Sequence, residues 1–244
     1  MKEYKKSVIT EAVTRGLNPD APMKDSGIEW IGKIPEHWEA VRMKSGIAER
    51  DGGAWGTDAN NSEGDCICLR IADFDYSKFR FADATDLTIR HYTRDVIEKL
   101  QLKKADILIE KSGGGEKTPV GRTVLFDKDY KAVYANFMDR LRCSDIVRPK
   151  YMQYIFVAFY ENGYTRNYIK QTTGIQNLDL TSMLSKELMA LPSRLEQQAI
   201  ADYLDQKCAE IDSVIEKREK MIGLLTEYKK SLIYECVTGK KEVA

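Results

Sequence analysis

The sequence predicts an α+β protein in which one mixed α/β domain is followed by a long, coiled-coil-forming helix. Three observations carry that expectation. Short runs rich in Ile, Val, Leu and aromatic residues recur between Cys66 and Ser144, the pattern of strands. The stretch from Arg194 to Glu235 has no proline and repeats apolar residues at heptad spacing. Finally, EYKKSVITEAVT at Glu3 to Thr14 returns as EYKKSLIYECVT at Glu227 to Thr238, identical at 9 of 12 positions.

The elements follow in order. Residues 1–17 form a short N-terminal helical segment, stopped by the Gly and Pro of Arg15-Gly16-Leu17-Asn18-Pro19. Residues 18–38 mix Pro, Gly, Asp and Ser with Trp30, Ile31, Ile34 and Trp38, which predicts an extended connector whose tryptophans pack into a core. CICLRIADF (Cys66 to Phe74), ADILIEK (Ala105 to Lys111), GRTVLFD (Gly121 to Asp127) and AVYANFMDRLRCS (Ala132 to Ser144) read as strands, and Cys66 and Cys68 alternate with Ile67 on the first. Thr93 to Leu100 and Lys150 to Glu161 read as helices, the second with Met152, Ile155, Phe156 and Phe159 on one face. Asp51-Gly52-Gly53 and Ser112-Gly113-Gly114-Gly115 are expected to be flexible loops within this domain, residues 18–192.

Residues 193–244 hold the long helix. Alternating steps of four and three give Leu204, Cys208, Ile211, Ile215, Arg218, Ile222, Leu225, Lys229 and Leu232, of which seven in nine are apolar. At 1.5 Å per residue the helix spans roughly 60 Å, longer than a domain of this size is wide, so much of its seam needs a partner helix. The other reading is an amphipathic helix lying across its own domain. The terminal repeat favours the partner: its period is the whole chain, unlike the short stacked units of a solenoid. Such a chain reads as one half of segment, domain, segment, domain, and a second copy restores the missing half. Homodimerisation is therefore expected, through Leu204, Ile211, Ile215, Ile222, Leu225 and Leu232.

Composition bounds the class. With 244 residues, 43% apolar and 31% charged, the chain is ordinary for an ordered globular protein, and its formal net charge of zero argues neither for nor against nucleic acid. No apolar run approaches membrane-spanning length, and MKEYKKSVITEAV carries charge where a signal peptide would be apolar, so a cytoplasmic protein without a membrane partner is expected. Five cysteines without C-x-x-C spacing and two histidines, His37 and His91, predict neither a disulfide framework nor a metal site.

Two loops carry candidate chemistry. GGGEKT (Gly113 to Thr118) lacks the spacing of a nucleotide-hydrolysing phosphate loop. Its glycines instead let backbone amides approach a polyanion, with Lys111, Lys117 and Arg122 close by in sequence; the alternative is a tight hairpin. The second loop, Lys170 to Asn177, presents Thr173, Gln176 and Asn177, side chains able to meet adenine edges, thymine methyls or phosphates. No base-methylation element, methyl-donor loop or nucleophile elbow is present, so no catalytic constellation is expected.

Taken in order, the motifs resemble the specificity subunit of type I restriction-modification systems over nearly the whole chain. WIGKIPEHWEAVRMK (Trp30 to Lys44) resembles that family's lead into a target recognition domain, and ILIEKSGGGEKTPVGRTVLF (Ile107 to Phe126) its glycine-rich core. LPSRLEQQAIADYLDQKCAEID (Leu191 to Asp212) resembles the exit into the spacer helix, and EYKKSLIYECVTGK (Glu227 to Lys240) that helix's end. Family members usually carry two recognition domains and two helical regions, whereas this chain has one of each plus a short copy of the helix end. The resemblance implies a non-catalytic DNA-binding half-subunit without a cofactor of its own, methyl donor and ATP being bound by its partners. Those partners are double-stranded DNA, a modification (methyltransferase) subunit, a restriction subunit reached through the complex, and a second copy of the chain. DNA contact is expected from Lys111, Ser112, Gly113, Gly114, Lys117, Thr118, Arg122, Thr173, Gln176 and Asn177. Two competing readings are a homodimeric coiled-coil scaffold that binds protein rather than DNA, and a self-sufficient methyltransferase or nuclease, which the missing catalytic motifs disfavour.

Overall fold

The computed structural model describes residues 1–83, 86–171 and 174–240. Among these described residues, five α-helices and a set of short strands pack as mixed layers: α1 (Lys2–Arg15), α2 (Arg94–Leu100), α3 (Pro149–Glu161), α4 (Leu180–Lys186) and α5 (Arg194–Val237). This is the expected α+β architecture with its long C-terminal helix.

A six-stranded sheet organises the domain, in the order Ile47–Gly52, Met138–Cys143, Ile107–Glu110, Thr123–Leu125, Arg80–Phe81, Phe74–Asp75. Its neighbours run antiparallel except Thr123–Leu125 beside Arg80–Phe81. The strand Ile107–Glu110 is buried along its whole length because the sheet is covered on both faces, which is why ADILIEK reads as a continuous apolar run rather than an alternation. Ile107 and Ile109 point into a core shared with α1, α3 and α5, while Leu108 points with Val124 into a second core. A four-stranded sheet (Ala132–Tyr134, Asp65–Leu69, Ile89–His91, Thr57–Asp58) and α2 build that second core.

Two expectations are corrected at this level. The stretch Ala132 to Ser144 is two strands in two different sheets, because the chain turns at 135–137 and crosses from one sheet to the other. Asp51 and Gly52 are no flexible loop: they close an edge strand opposite Arg140 and Asp139, and Gly53 sits where a Cβ would come 2.2 Å from the Ala135 carbonyl oxygen.

The connector folds as expected of its tryptophans. Met23–Ile28 and Gly32–Pro35 form a hairpin, and Trp30, Ile34 and Trp38 are buried in the first core. Trp30 meets Phe159 edge-on at 5.4 Å, and its Nε1 donates to the Leu188 carbonyl at 3.1 Å, satisfying the indole's one polar group. α3 lies at the centre of this core, buried from Tyr151 to Phe159 between the sheet, α1 and the first turns of α5.

α5 begins at a reciprocal cap in which Ser193 Oγ accepts from the Glu196 N–H and the Glu196 carboxylate accepts from the Ser193 N–H. Its two ends live in different surroundings. Leu204, Cys208 and Ile211 are buried against the chain's own core, Ile215 and Leu232 are half-buried, and Ile222 and Leu225 are exposed by about six-tenths of their surface. The seam expected from the heptads is therefore divided: its first three positions are covered from within because α1 and α3 already occupy that face. Among the described residues no helix is long and apolar enough to cross a membrane.

Candidate nucleic-acid interface

The two polar loops, some sixty residues apart in sequence, build one edge. Beyond Lys111 the chain continues as the two-residue strand Ser112–Gly113, which pairs with Gln176–Leu178; that strand pairs in turn with Ile169–Gln171. Ser112 lies opposite Asn177 and donates to its Oδ1 at 2.7 Å, and Gly113 lies opposite Gln176. The turn that follows needs glycine at Gly114, where φ is +58° and a Cβ would come 2.8 Å from the Val120 amide nitrogen. Gly115 N–H donates to the Thr118 carbonyl at 3.0 Å, which closes the tip and leaves Glu116, Lys117 and Thr118 exposed.

Ser112, Gly113, Gly114, Lys117, Thr118, Gln176 and Asn177 thus come together on one edge, while Thr173 lies outside the described residues. Three of the expected contacts have internal work instead. Lys111 Nζ lies 2.7 Å from Oδ1 of the buried Asp139, whose other oxygen accepts from Arg50 Nε at 2.7 Å. Arg122 Nε donates to the Glu110 carboxylate at 3.1 Å and its guanidinium stacks 3.5 Å from the centre of the Tyr76 ring. Burial pushes the Glu110 carboxyl up, and the hydrogen bond and charge of Arg122 oppose that rise. Gln176 is only 7% exposed, and its side-chain oxygen accepts from the Val120 N–H at 3.2 Å. These three side chains shape the loop, and their partners could not be read from neighbouring sequence. The groups that face solvent are Lys117, Thr118 and Asn177.

Beside them stands Lys170, also exposed, which bridges to Asp179 at 2.7 Å. That lysine, together with the Ser182 N–H that Asp179 accepts at the start of α4, holds the Asp179 carboxyl down to about 2.

Two exposed aromatic residues were not anticipated from the sequence. The Phe137 carbonyl accepts from the N–H groups of Lys111 and Ser112, which holds the Phe137 backbone at the start of the glycine-rich loop, and its side chain is 46% exposed. Trp55, 41% exposed, walls a depression with Phe137, Arg70, Ile71 and Asn136, and the Arg90 guanidinium lies 4.7 Å from its ring. The available signal was the placement of a tryptophan between glycines, in Gly53-Ala54-Trp55-Gly56, where no strand or helix period calls for a large apolar side chain. On the edge built by the two loops, a cationic tip, backbone amides and a side-chain amide suit phosphate contact and base-edge contact with nucleic acid. Among the described residues, no three His, Cys, Asp or Glu side chains gather so as to hold a metal ion.

The chain is similar to known proteins over most of its length. Residues 35–222 match the family described as the type I restriction modification DNA specificity domain. The chain is 24% identical over 214 residues to the type I restriction enzyme StySPI specificity subunit of Salmonella potsdam, covering 85% of this chain and 44% of that protein. It is 25% identical over 250 residues to the MjaVIII specificity subunit of Methanocaldococcus jannaschii, covering 100% of this chain and 55% of the relative. The fold is similar to a chain in a structure described as the structural basis underlying complex assembly and conformational transition of the type I R-M system (TM-score 0.64, 14% identity, 96% of this chain and 50% of that one). It is also similar to the HsdS subunit from Thermoanaerobacter tengcongensis (TM-score 0.55, 16% identity, 96% and 50%). The chain spans about half the length of these relatives. On the match over residues 35–222, the chain belongs to the type I restriction modification DNA specificity domain family.

Proposed function

We propose that this chain is a non-catalytic, sequence-specific DNA-recognition module that reads one half-site and directs the methyltransferase and restriction subunits of a type I complex. Residues 18–192 form the recognition domain and residues 193–244 the spacer, with the N-terminal segment packed as part of the same body. The observation that carries the reading is the edge where the glycine-rich loop pairs with the second polar loop and leaves Lys117, Thr118 and Asn177 exposed. The projecting, apolar second half of α5 supports the second part of the proposal, a homodimer whose antiparallel helices hold two recognition domains apart. Such a dimer reads a symmetric, two-part target, and the helix length sets the gap between halves.

The test is to express the chain with its modification subunit and map methylated adenines over the host genome. A symmetric motif interrupted by a fixed gap is expected. An asymmetric motif overturns the homodimer, and absence of methylation overturns the specificity reading.

A further inference from the structure

The contacts of α1 carry an inference about the repeated segment. α1 buries Lys5, Ile9, Ala12, Val13 and Thr14. At an offset of 224 positions (Lys229 against Lys5), the second copy of the segment presents Lys229, Ile233, Cys236, Val237 and Thr238. The two sets differ only by the sulfur that distinguishes Cys236 from Ala12. In the structure the second set is not docked: Ile233 is half-exposed and Val237 almost wholly so.

The groove that receives α1 is specific for this face. Lys5 reaches both carboxylate oxygens of Asp212 at 2.7 and 2.8 Å and also donates to the Ser77 carbonyl. Ile9 and Val13 pack in the same core as Leu204 and Cys208, and the Val13 carbonyl accepts from Tyr151 at 3.3 Å. The far end of α1, at Gly16, abuts Trp38, whose indole donates to Glu196. α1 therefore runs antiparallel to α5, from Asp212 towards Glu196. At the one large difference, Tyr234 in place of Thr10, the structure has room: an open depression lies beside Thr10, lined by Ser7, Thr14, Ile31 and Asn162.

We infer that the α1 groove is also the docking site for residues 227–238 of a second copy of this chain, so that α1 and the partner's helix end are alternative occupants. This inference rests on the homodimer reading and deepens it, because it selects a register. Heptad spacing alone permits antiparallel pairings one heptad apart. Lys229 facing Asp212 of the other copy places the two-fold axis at Lys220–Met221. That register sets Ile215 beside Leu225 and Arg218 beside Ile222 of the other copy, joining the seam positions that the single chain leaves uncovered. α1 then acts as an internal stand-in that covers the groove in the isolated chain and leaves it on association.

The test uses two charge reversals at equivalent positions of the full chain, with self-association measured by sedimentation equilibrium. Lys229→Glu, on an exposed residue, is expected to weaken the dimer by about tenfold, because a carboxylate then meets Asp212. Lys5→Glu loosens the internal occupant and is expected to tighten the dimer by about tenfold. Opposite signs support the exchange. A dimer indifferent to Lys229→Glu overturns the exchange while leaving the homodimer reading intact, and a wild-type chain that stays monomeric at every concentration overturns both. Should Lys5→Glu fail to fold by circular dichroism, a synthetic peptide of residues 225–240 replaces it: it is expected to bind the wild-type chain and dissociate the dimer, and failure to bind overturns the exchange.

Discussion

Lys111 and Lys117 are six positions apart on the same loop and do different things. Lys111 is tied to Asp139, a carboxylate 2% exposed that Arg50 also grips, so this triad fastens the glycine-rich turn to the central sheet. Asp139→Ala leaves two cations without their anion at a covered site, and a loss of about 3 kcal/mol is expected in urea unfolding. Lys117 has no ion pair among the described residues and stands at the exposed tip. On the proposed function, Lys117→Ala should weaken binding to every DNA sequence alike and reduce the salt slope by about 1, read from fluorescence anisotropy over a salt series. Asp179 supplies a pH prediction. Lys170 holds its carboxyl at about 2, below the ordinary 3.8, so the contribution of this contact is present above 3.8 and is lost as pH falls towards 2. Lys170→Gln is expected to move the Asp179 midpoint upward, followed by carboxyl carbon chemical shifts. The sequence could name these charged residues but not their partners, since the Arg122 carboxylate is twelve positions away and the Asp139 side chain twenty-eight from Lys111.

At the scale of elements, α5 is one helix with two energetic halves. Its start is fastened by the Ser193 cap, and Glu196 also accepts from Trp38 and contacts His37, tying the helix to the connector. Ser193→Ala should cost about 1 kcal/mol, measured by urea unfolding. Leu204, with no exposed surface, and Ile222, largely exposed, occupy the same heptad seam. Leu204→Ala is expected to cost about 2–5 kcal/mol of chain stability. Ile222→Asp should leave that stability within about 0.5 kcal/mol and act on self-association instead, so the two variants separate in denaturation and sedimentation experiments. The seam's period was legible because a helix face that must be covered repeats apolar residues. Which partner covers it was not, because α1 and a second copy of α5 ask the same thing of Leu204.

For the whole molecule, the six-stranded sheet with a core on each face gives a rigid platform, and the proposed recognition edge is built from loops that extend its strand Ile107–Glu110. A site of that kind holds its shape in the free protein, so on the proposed function DNA affinity should fall steeply and linearly on a logarithmic salt scale without a folding transition, as titrations monitored by anisotropy and circular dichroism would record. A neutral net charge does not oppose this, because the relevant cations are local to the edge.

By itself the sequence determined the α+β class, the strand Ile107–Glu110, the helices α2, α3 and α5, the burial of Trp30 and Trp38, and the terminal repeat. Each is written in local periodicity, turn chemistry or identity. Only the tertiary structure decided that Ala132 to Ser144 divides between two sheets, that Ser112–Gly113 and Gln176–Asn177 are neighbours, that Arg122 and Gln176 serve the fold, and that Phe137 and Trp55 wall one depression. The reason is common to all four. Local sequence records whether a residue must be covered or paired, while the identity of what covers or pairs it is set by strand order and by contacts between residues far apart in the chain.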